Sequence, residues 1–115
     1  MSLNLVELAQ LAASAAEEKK AQRVTIMDIR GLSVIADYFV VCHGNSQTQV
    51  KAIVDAIKKK VQEADIPVKG VEGLSEARWV LVDLGDVVVH VFHKDERDFY
   101  DLERLWGDAA QVGVQ

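Results

Sequence analysis

The spacing of hydrophobic and polar positions changes several times along the chain, and each change predicts an element. Over residues 4–21, Leu5, Leu8, Ala9, Ala12, Ala15 and Ala16 recur at helical spacing, while Glu17, Glu18, Lys19 and Lys20 are polar. Asn4 with Glu7 three residues on has the spacing of a capping box. The stripe is mostly alanine, so this helix is expected to pack closely and act as a cover. Val24–Ile29 reads as a strand ended by Arg30-Gly31, and Ser33–Ala36 as a short connection. Asp37–His43 is almost unbroken in β-forming apolar residues, the pattern of a central strand buried on both faces. After Gly44-Asn45, Ser46 is placed to cap a second helix, with Gln49 at the capping-box position. Val50, Ile53, Val54, Ile57 and Val61 form its apolar stripe, and Lys51, Lys58, Lys59 and Lys60 lie mostly off it. Pro67 bars that helix from continuing, and Val68–Val71 is predicted as a short edge strand followed by a loop at Gly73–Glu76.

The strongest pattern comes next. Trp79–Leu84 and Val87–Phe92 alternate as strands around Gly85-Asp86, a two-residue hairpin loop in which glycine supplies the positive φ. The register follows: Leu84 faces Val87, Val82 faces Val89 and Val80 faces Val91, all aliphatic. The alternate face pairs Asp83 with Val88, Leu81 with His90 and Trp79 with Phe92. The first face belongs in a core. The second, mixed face is either half-buried core or a docking surface. A helix is predicted over Glu96–Trp106, capped by Asp95, with Phe99, Leu102 and Trp106 as its buried stripe and Gly107 as its stop; Ala109–Gln115 is expected to fray. The element order α-β-β-α-β-β-β-α predicts an α/β fold: a mixed five-stranded sheet with helices mainly on one face, and a right-handed parallel crossover around Val50–Val61.

At 115 residues the chain is expected to form one domain, spanning 1–115, with half its residues hydrophobic and 27% charged. Cys42 is the sole cysteine, so no intrachain disulfide forms and a reducing compartment suits it. No apolar run reaches the ~18 residues of a membrane span. Residues 1–20 show no secretory or transit pattern, so the expectation is cytoplasmic, without membrane association. The net charge of −5 argues against a nucleic-acid binder, DNA included, and towards a basic protein partner or simple solubility.

Trp79–Phe92 (W-V-L-V-D-L-G-D-V-V-V-H-V-F) followed by Glu96–Trp106 (E-R-D-F-Y-D-L-E-R-L-W) closely resembles the C-terminal signature of the Iojap family, the RsfS ribosomal silencing factors. Asp37–Ile53 (D-Y-F-V-V-C-H-G-N-S-Q-T-Q-V-K-A-I) resembles that family's other signature, and together the matches cover roughly residues 3–108. The resemblance implies a fold similar to that of nucleotidyltransferases and a role as a translational repressor. Such a protein binds the large ribosomal subunit through a basic ribosomal protein on its intersubunit face, blocks joining of the small subunit, and takes part in large-subunit maturation.

Three constellations compete for the chemistry. Gly44-Asn45-Ser46 sits where nucleotidyltransferases hold phosphates, but Val68–Val71 carries none of the carboxylates that metal-assisted transfer needs, so Ser46 reads as a helix cap and the chain as no enzyme. Cys42 and His43 are strand neighbours pointing to opposite faces, and His90 and His93 also diverge; neither a metal site nor a cysteine–histidine nucleophile is expected, and no cofactor. The mixed hairpin face remains: Trp79, Leu81, His90 and Phe92 as an aromatic-rich patch, Asp83 with Asp86, Glu96 and Asp98 as an acidic rim, and Tyr100 as an addition from the helix. A face of this kind also suits pairing with a second copy, a homodimer in the free state.

Overall fold

The computed structural model describes residues 3–107 and 109–113. Its elements are α1 (Leu5–Glu18), β1 (Gln22–Asp28), β2 (Tyr38–Gly44), α2 (Gln47–Glu63), β3 (Gly70–Glu72), β4 (Trp79–Asp83), β5 (Val87–His93), α3 (Lys94–Tyr100), α4 (Leu102–Leu105) and β6 (Ala110–Val112).

Local sequence sets the helix starts. The Asn4 side chain accepts from the Glu7 amide at 2.8 Å while the Glu7 carboxylate accepts from the Asn4 amide at 3.0 Å, closing the capping box. Helix α1 stops before Lys20, which takes a left-handed φ of 63°, rather than running on to residue 21. Ser46 Oγ caps α2 by accepting from the Gln49 amide at 3.0 Å. The Gln49 side chain reaches one residue further back than a capping box would have it: its Oε1 accepts from the Asn45 amide at 2.7 Å. Its Nε2 donates to the carbonyls of Lys19 and Lys20, tying the start of α2 to the end of α1.

The strands form one mixed sheet in the order β3-β4-β5-β2-β1-β6. Strand β2 is buried along its whole length and lies parallel to β5, so it is the central strand that its apolar run predicts. Strand β3 is antiparallel to β4, which is antiparallel to β5; β3 therefore runs parallel to β2, as expected of the unit through α2. It lands at the far edge of the sheet, and the hairpin fills the gap between them. The hairpin register is the predicted one at every pair from Trp79↔Phe92 to Asp83↔Val88, with Gly85 at φ 97° and the Leu84 amide bonded to the Val87 carbonyl at 3.0 Å.

Helices α1 and α2 cover one face. The α2 stripe of Val50, Ile53, Val54, Ile57 and Val61 is fully buried, each such side chain contributing roughly 1.5–3 kcal/mol on removal from water. It packs on Val80, Val82, Val87, Val89 and Val91 from the aliphatic face of the hairpin and on the alanines of α1. The opposite face has a smaller core of Met27, Ile29, Phe39, Val41, Val88, Phe92 and Leu102, against which Trp79, Leu81 and Trp106 are partly buried.

Further expectations need correction. The sheet has six strands, not five: Ala110–Val112, within the tail expected to fray, pairs with β1 through Ile26↔Val112, Met27↔Gln111 and Asp28↔Ala110, because β1 would otherwise leave an open edge. Val114 and Gln115, in the same predicted tail, lie outside the described residues. The edge strand β3 begins at Gly70 rather than Val68 and ends on a carboxylate, Glu72. The last helix is capped by His93, whose Nδ1 accepts from the Asp95 amide at 3.2 Å, not by Asp95. It also breaks at Asp101, which adopts φ 47° and ψ 59°, a left-handed conformation that aspartate tolerates better than most residues.

Candidate docking surface

The break at Asp101 changes which residues α3 presents to the sheet. Arg97 points inward and is 1% exposed. Phe99, two residues and about 200° further round the helix, points outward and is 78% exposed, not buried as predicted. Leu102 and Trp106 do face the second core.

Arg97 is the hub that holds this end of the chain down. Its Nε and Nη2 donate to Glu103 Oε2 at 3.2 and 2.6 Å, and its Nη1 donates to the Gln22 carbonyl and to His43 Nδ1, both at 3.1 Å. Because a guanidinium only donates, His43 Nδ1 is an acceptor and that imidazole is neutral. Burial first, and then the Arg97 charge, lower its pKa.

Next to this hub the aromatic side chains form a chain of ring contacts. Trp79 stacks on Phe92, centroids 5.1 Å apart, and meets Tyr100 at a tilt of 43° with centroids 4.5 Å apart; Phe99 meets Tyr100 edge-on at 5.1 Å. The Trp79 indole Nε1 donates to His90 Nδ1 at 3.1 Å. His90 in turn lies T-shaped to Phe39 at 4.5 Å, and Phe39 to Trp106 at 5.7 Å. Gly73, at φ 84°, lies so close under this patch that a Cβ there would come 2.3 Å from the Trp79 carbonyl oxygen.

All six residues of the predicted patch are therefore on one side of the sheet, at different depths. Trp79, Leu81 and Asp83 are half-buried and Tyr100 is 44% exposed, whereas Phe92 is fully buried and His90 is 5% exposed. Burial pushes the pKa of His90 down to about 4, so the ring is neutral at pH 7. The acidic rim is largely engaged within the protein. Asp83 Oδ1 accepts from the Gly85 amide at 2.8 Å and so holds the hairpin turn. Glu96 pairs with Arg78, and Asp98 pairs with Arg23 at 3.3 Å. Asp86 is exposed.

The other constellations are dispersed by the sheet. Cys42 lies in the core beneath α1 and α2, where burial pushes its thiol up to about 12, far from a reactive thiolate. His43 projects to the opposite side against Arg97, His90 lies under Trp79, and His93 caps α3. Among the described residues no group of three or more His, Cys, Asp or Glu is placed to hold a metal ion, and no helix is long and apolar enough to cross a membrane.

Residues 2–115 match the family model described as ribosomal silencing factor during starvation, RsfS. The chain belongs to the RsfS family. It is 57% identical over 109 residues to the ribosomal silencing factor RsfS of Halalkalibacterium halodurans, covering 95% of this chain and 93% of that one. A crystal structure of a Chromobacterium violaceum protein superposes with a TM-score of 0.89 at 39% identity, over 91% of this chain and 88% of that one. More distantly, a mouse protein named mitochondrial assembly of ribosomal large subunit protein 1 is 27% identical over 92 residues, 77% of this chain and 40% of that protein.

In this family member some surface residues escape the hydrophobic pattern. Phe99 reads as core only while α3 and α4 are taken as one helix, and Leu105, off that predicted stripe, is 71% exposed. Val34 and Ile35, at the tip of the β1–β2 connection, are also exposed, and an apolar pair inside a predicted loop was the available signal. Arg97 gave none, because an arginine in an amphipathic helix is ordinarily assigned to the solvent face.

Proposed function

We propose that this protein represses translation by binding the large ribosomal subunit through a basic ribosomal protein on its intersubunit face, thereby blocking association with the small subunit, and that it also serves large-subunit maturation. The observation that carries this reading is the tilted contact of the Trp79 and Tyr100 rings, 4.5 Å between centroids. In a family named for ribosomal silencing, the sheet face left free by α1 and α2 presents an indole and a phenol, both partly exposed, over the buried support of Phe92. Partly exposed aromatics on a rigid sheet are the kind of group that dominates binding energy. Trp79, Leu81, Asp83 and Tyr100 are the proposed contacts, and Phe92 and His90 lie beneath them.

The mechanism requires occupancy and bulk. It needs no cofactor and no catalysis. Of the proposed nucleotidyltransferase-like frame, β3 keeps a single carboxylate, Glu72, and the residue opposite it on β4 is Leu81. The protein is proposed to act as one cytoplasmic domain spanning residues 1–115. With Glu96 and Asp98 already paired to arginines, the aromatic surface, more than charge, is expected to supply the affinity. Sedimentation with purified subunits tests the proposal: the protein should travel with large subunits and not small ones, and should prevent their joining with or without a nucleotide. Equal binding to both subunits, or to neither, would refute it.

A further inference from the structure

His90 occupies a position where an aliphatic residue would fit. Leu81 lies opposite it on β4 and Val41 beside it on β2. Burying an imidazole there is costly, because polar atoms removed from water lose hydration unless they are bonded. One of the two ring nitrogens remains unsatisfied: Nε2 is buried without a hydrogen-bond partner among the described residues. Such a group calls for an explanation other than stability.

What histidine supplies, and leucine cannot, is an acceptor. The indole of Trp79 is a donor only, and its Nε1 lies 3.1 Å from His90 Nδ1. Trp79 is half-buried, so without that acceptor its N–H edge would gain by turning towards water. Turning would break the stack with Phe92, where the rings are inclined by only 26°. The other ring nitrogen is left to carry the proton, and burial keeps the imidazole neutral by pushing its pKa to about 4.

We propose that His90 is a positioning residue for docking: it does not touch the partner, and its Nδ1 holds the Trp79 indole in the stacked orientation in which the aromatic face meets the large subunit. This rests on the docking reading above. A side chain already held in its bound orientation avoids an ordering cost on association, worth about three- to tenfold in affinity for a group of this kind.

The test uses the full chain with the tryptophan indole nitrogens labelled, purified large subunits, and the variants His90→Leu, His90→Gln, Trp79→Phe and Trp79→Phe/His90→Leu. In His90→Leu the Trp79 indole N–H resonance should move and exchange faster with solvent, and affinity should fall about three- to tenfold. His90→Gln, whose amide oxygen can accept, should recover part of both. Trp79→Phe keeps an aromatic ring of smaller area, removes the N–H, and should lose affinity at least as much. Adding His90→Leu to Trp79→Phe should then change nothing further. An indole signal or affinity unaffected by His90→Leu would overturn the positioning role, as would an equal loss in the Trp79→Phe background. If His90→Leu does not fold, wild-type affinity in Trp79→Phe would overturn it alone. Wild-type protein that binds no large subunit would refute the docking reading, and the positioning role with it.

Discussion

Replacing Glu103 with alanine removes the carboxylate from a guanidinium that has no water to replace it. Arg97 has a side-chain exposure of 1%, against 22% for Glu103, so the ion pair is asymmetric. In Glu103→Ala, Nε and Nη2 lose both of their hydrogen bonds, and Nη1 keeps the Gln22 carbonyl and His43 Nδ1. Leaving one member of a buried pair uncompensated costs about 3–5 kcal/mol. The accompanying loss of the Arg23–Glu103 contact at 3.5 Å adds little, because Arg23 is more than half exposed. Arg97→Met is the opposite cut. It fills much of the same volume, and the carboxylate it leaves behind still reaches water and Arg23, so roughly 1–3 kcal/mol is expected. Removing both charges, as Arg97→Met/Glu103→Leu, should recover most of the loss, since apolar replacement of a buried pair is often close to neutral. Urea unfolding at pH 7 measures all three as shifts of the midpoint at constant slope. A loss under ~1 kcal/mol for Glu103→Ala, or a larger loss for Arg97→Met than for Glu103→Ala, would refute the claim that Arg97 is the buried and costly member.

Trp79→Ala should weaken large-subunit binding by roughly 2–4 kcal/mol, or about thirty- to a thousandfold at ~1.4 kcal/mol per decade. Val82→Ala, buried in the other core, should lower stability by roughly 1–3 kcal/mol and leave binding by the folded protein unchanged. Comparing melting and binding on both variants would overturn the docking assignment if Trp79→Ala melted early yet its folded fraction bound normally. Stability should also fall on acidification, because His90 titrates near 6.5 when unfolded and about 4 when folded, and His43 shifts in the same direction. Between those values the unfolded chain binds the extra proton. The stabilisation is therefore complete above pH ~6.5 and is lost as pH falls towards ~4, a change on the order of 3 kcal/mol for His90; denaturant titrations at pH 7 and pH 4.5 measure it, and no difference would contradict the burial of both rings. A thiol reagent at pH 8 should label Cys42 only as fast as the protein unfolds, and immediate labelling of the native protein would place Cys42 outside the core. Light scattering over a concentration series should show whether the free protein pairs through the Trp79 face; a dimer that persists in Trp79→Ala would place any pairing elsewhere.

The features legible in the sequence are those dictated by residues close together along it. A two-residue loop at Gly85-Asp86 leaves one pairing for each hairpin residue, so the register, and with it the side of the sheet on which Trp79, Leu81, His90 and Phe92 lie, follows from alternation alone. The caps at Asn4 and Ser46 and the stripe of α2 are likewise short-range, and the unbroken apolar run of β2 leaves it no position except the centre. Tertiary structure decided the rest. Nothing local to Ala110–Val112 specifies a strand; the three residues pair because the edge of β1 is open to them. Arg97 is buried because acceptors converge on it from Gln22 and His43, 75 and 54 positions away, and no helical pattern registers partners at that distance. The break at Asp101 lets Leu102 face the core while Phe99, on the preceding helix, faces outward, and Tyr100 closes on Trp79. The depth of each patch residue was decided there too, because burial depends on what the rest of the chain places above a side chain, and the alternation of a strand specifies only the direction in which that side chain points.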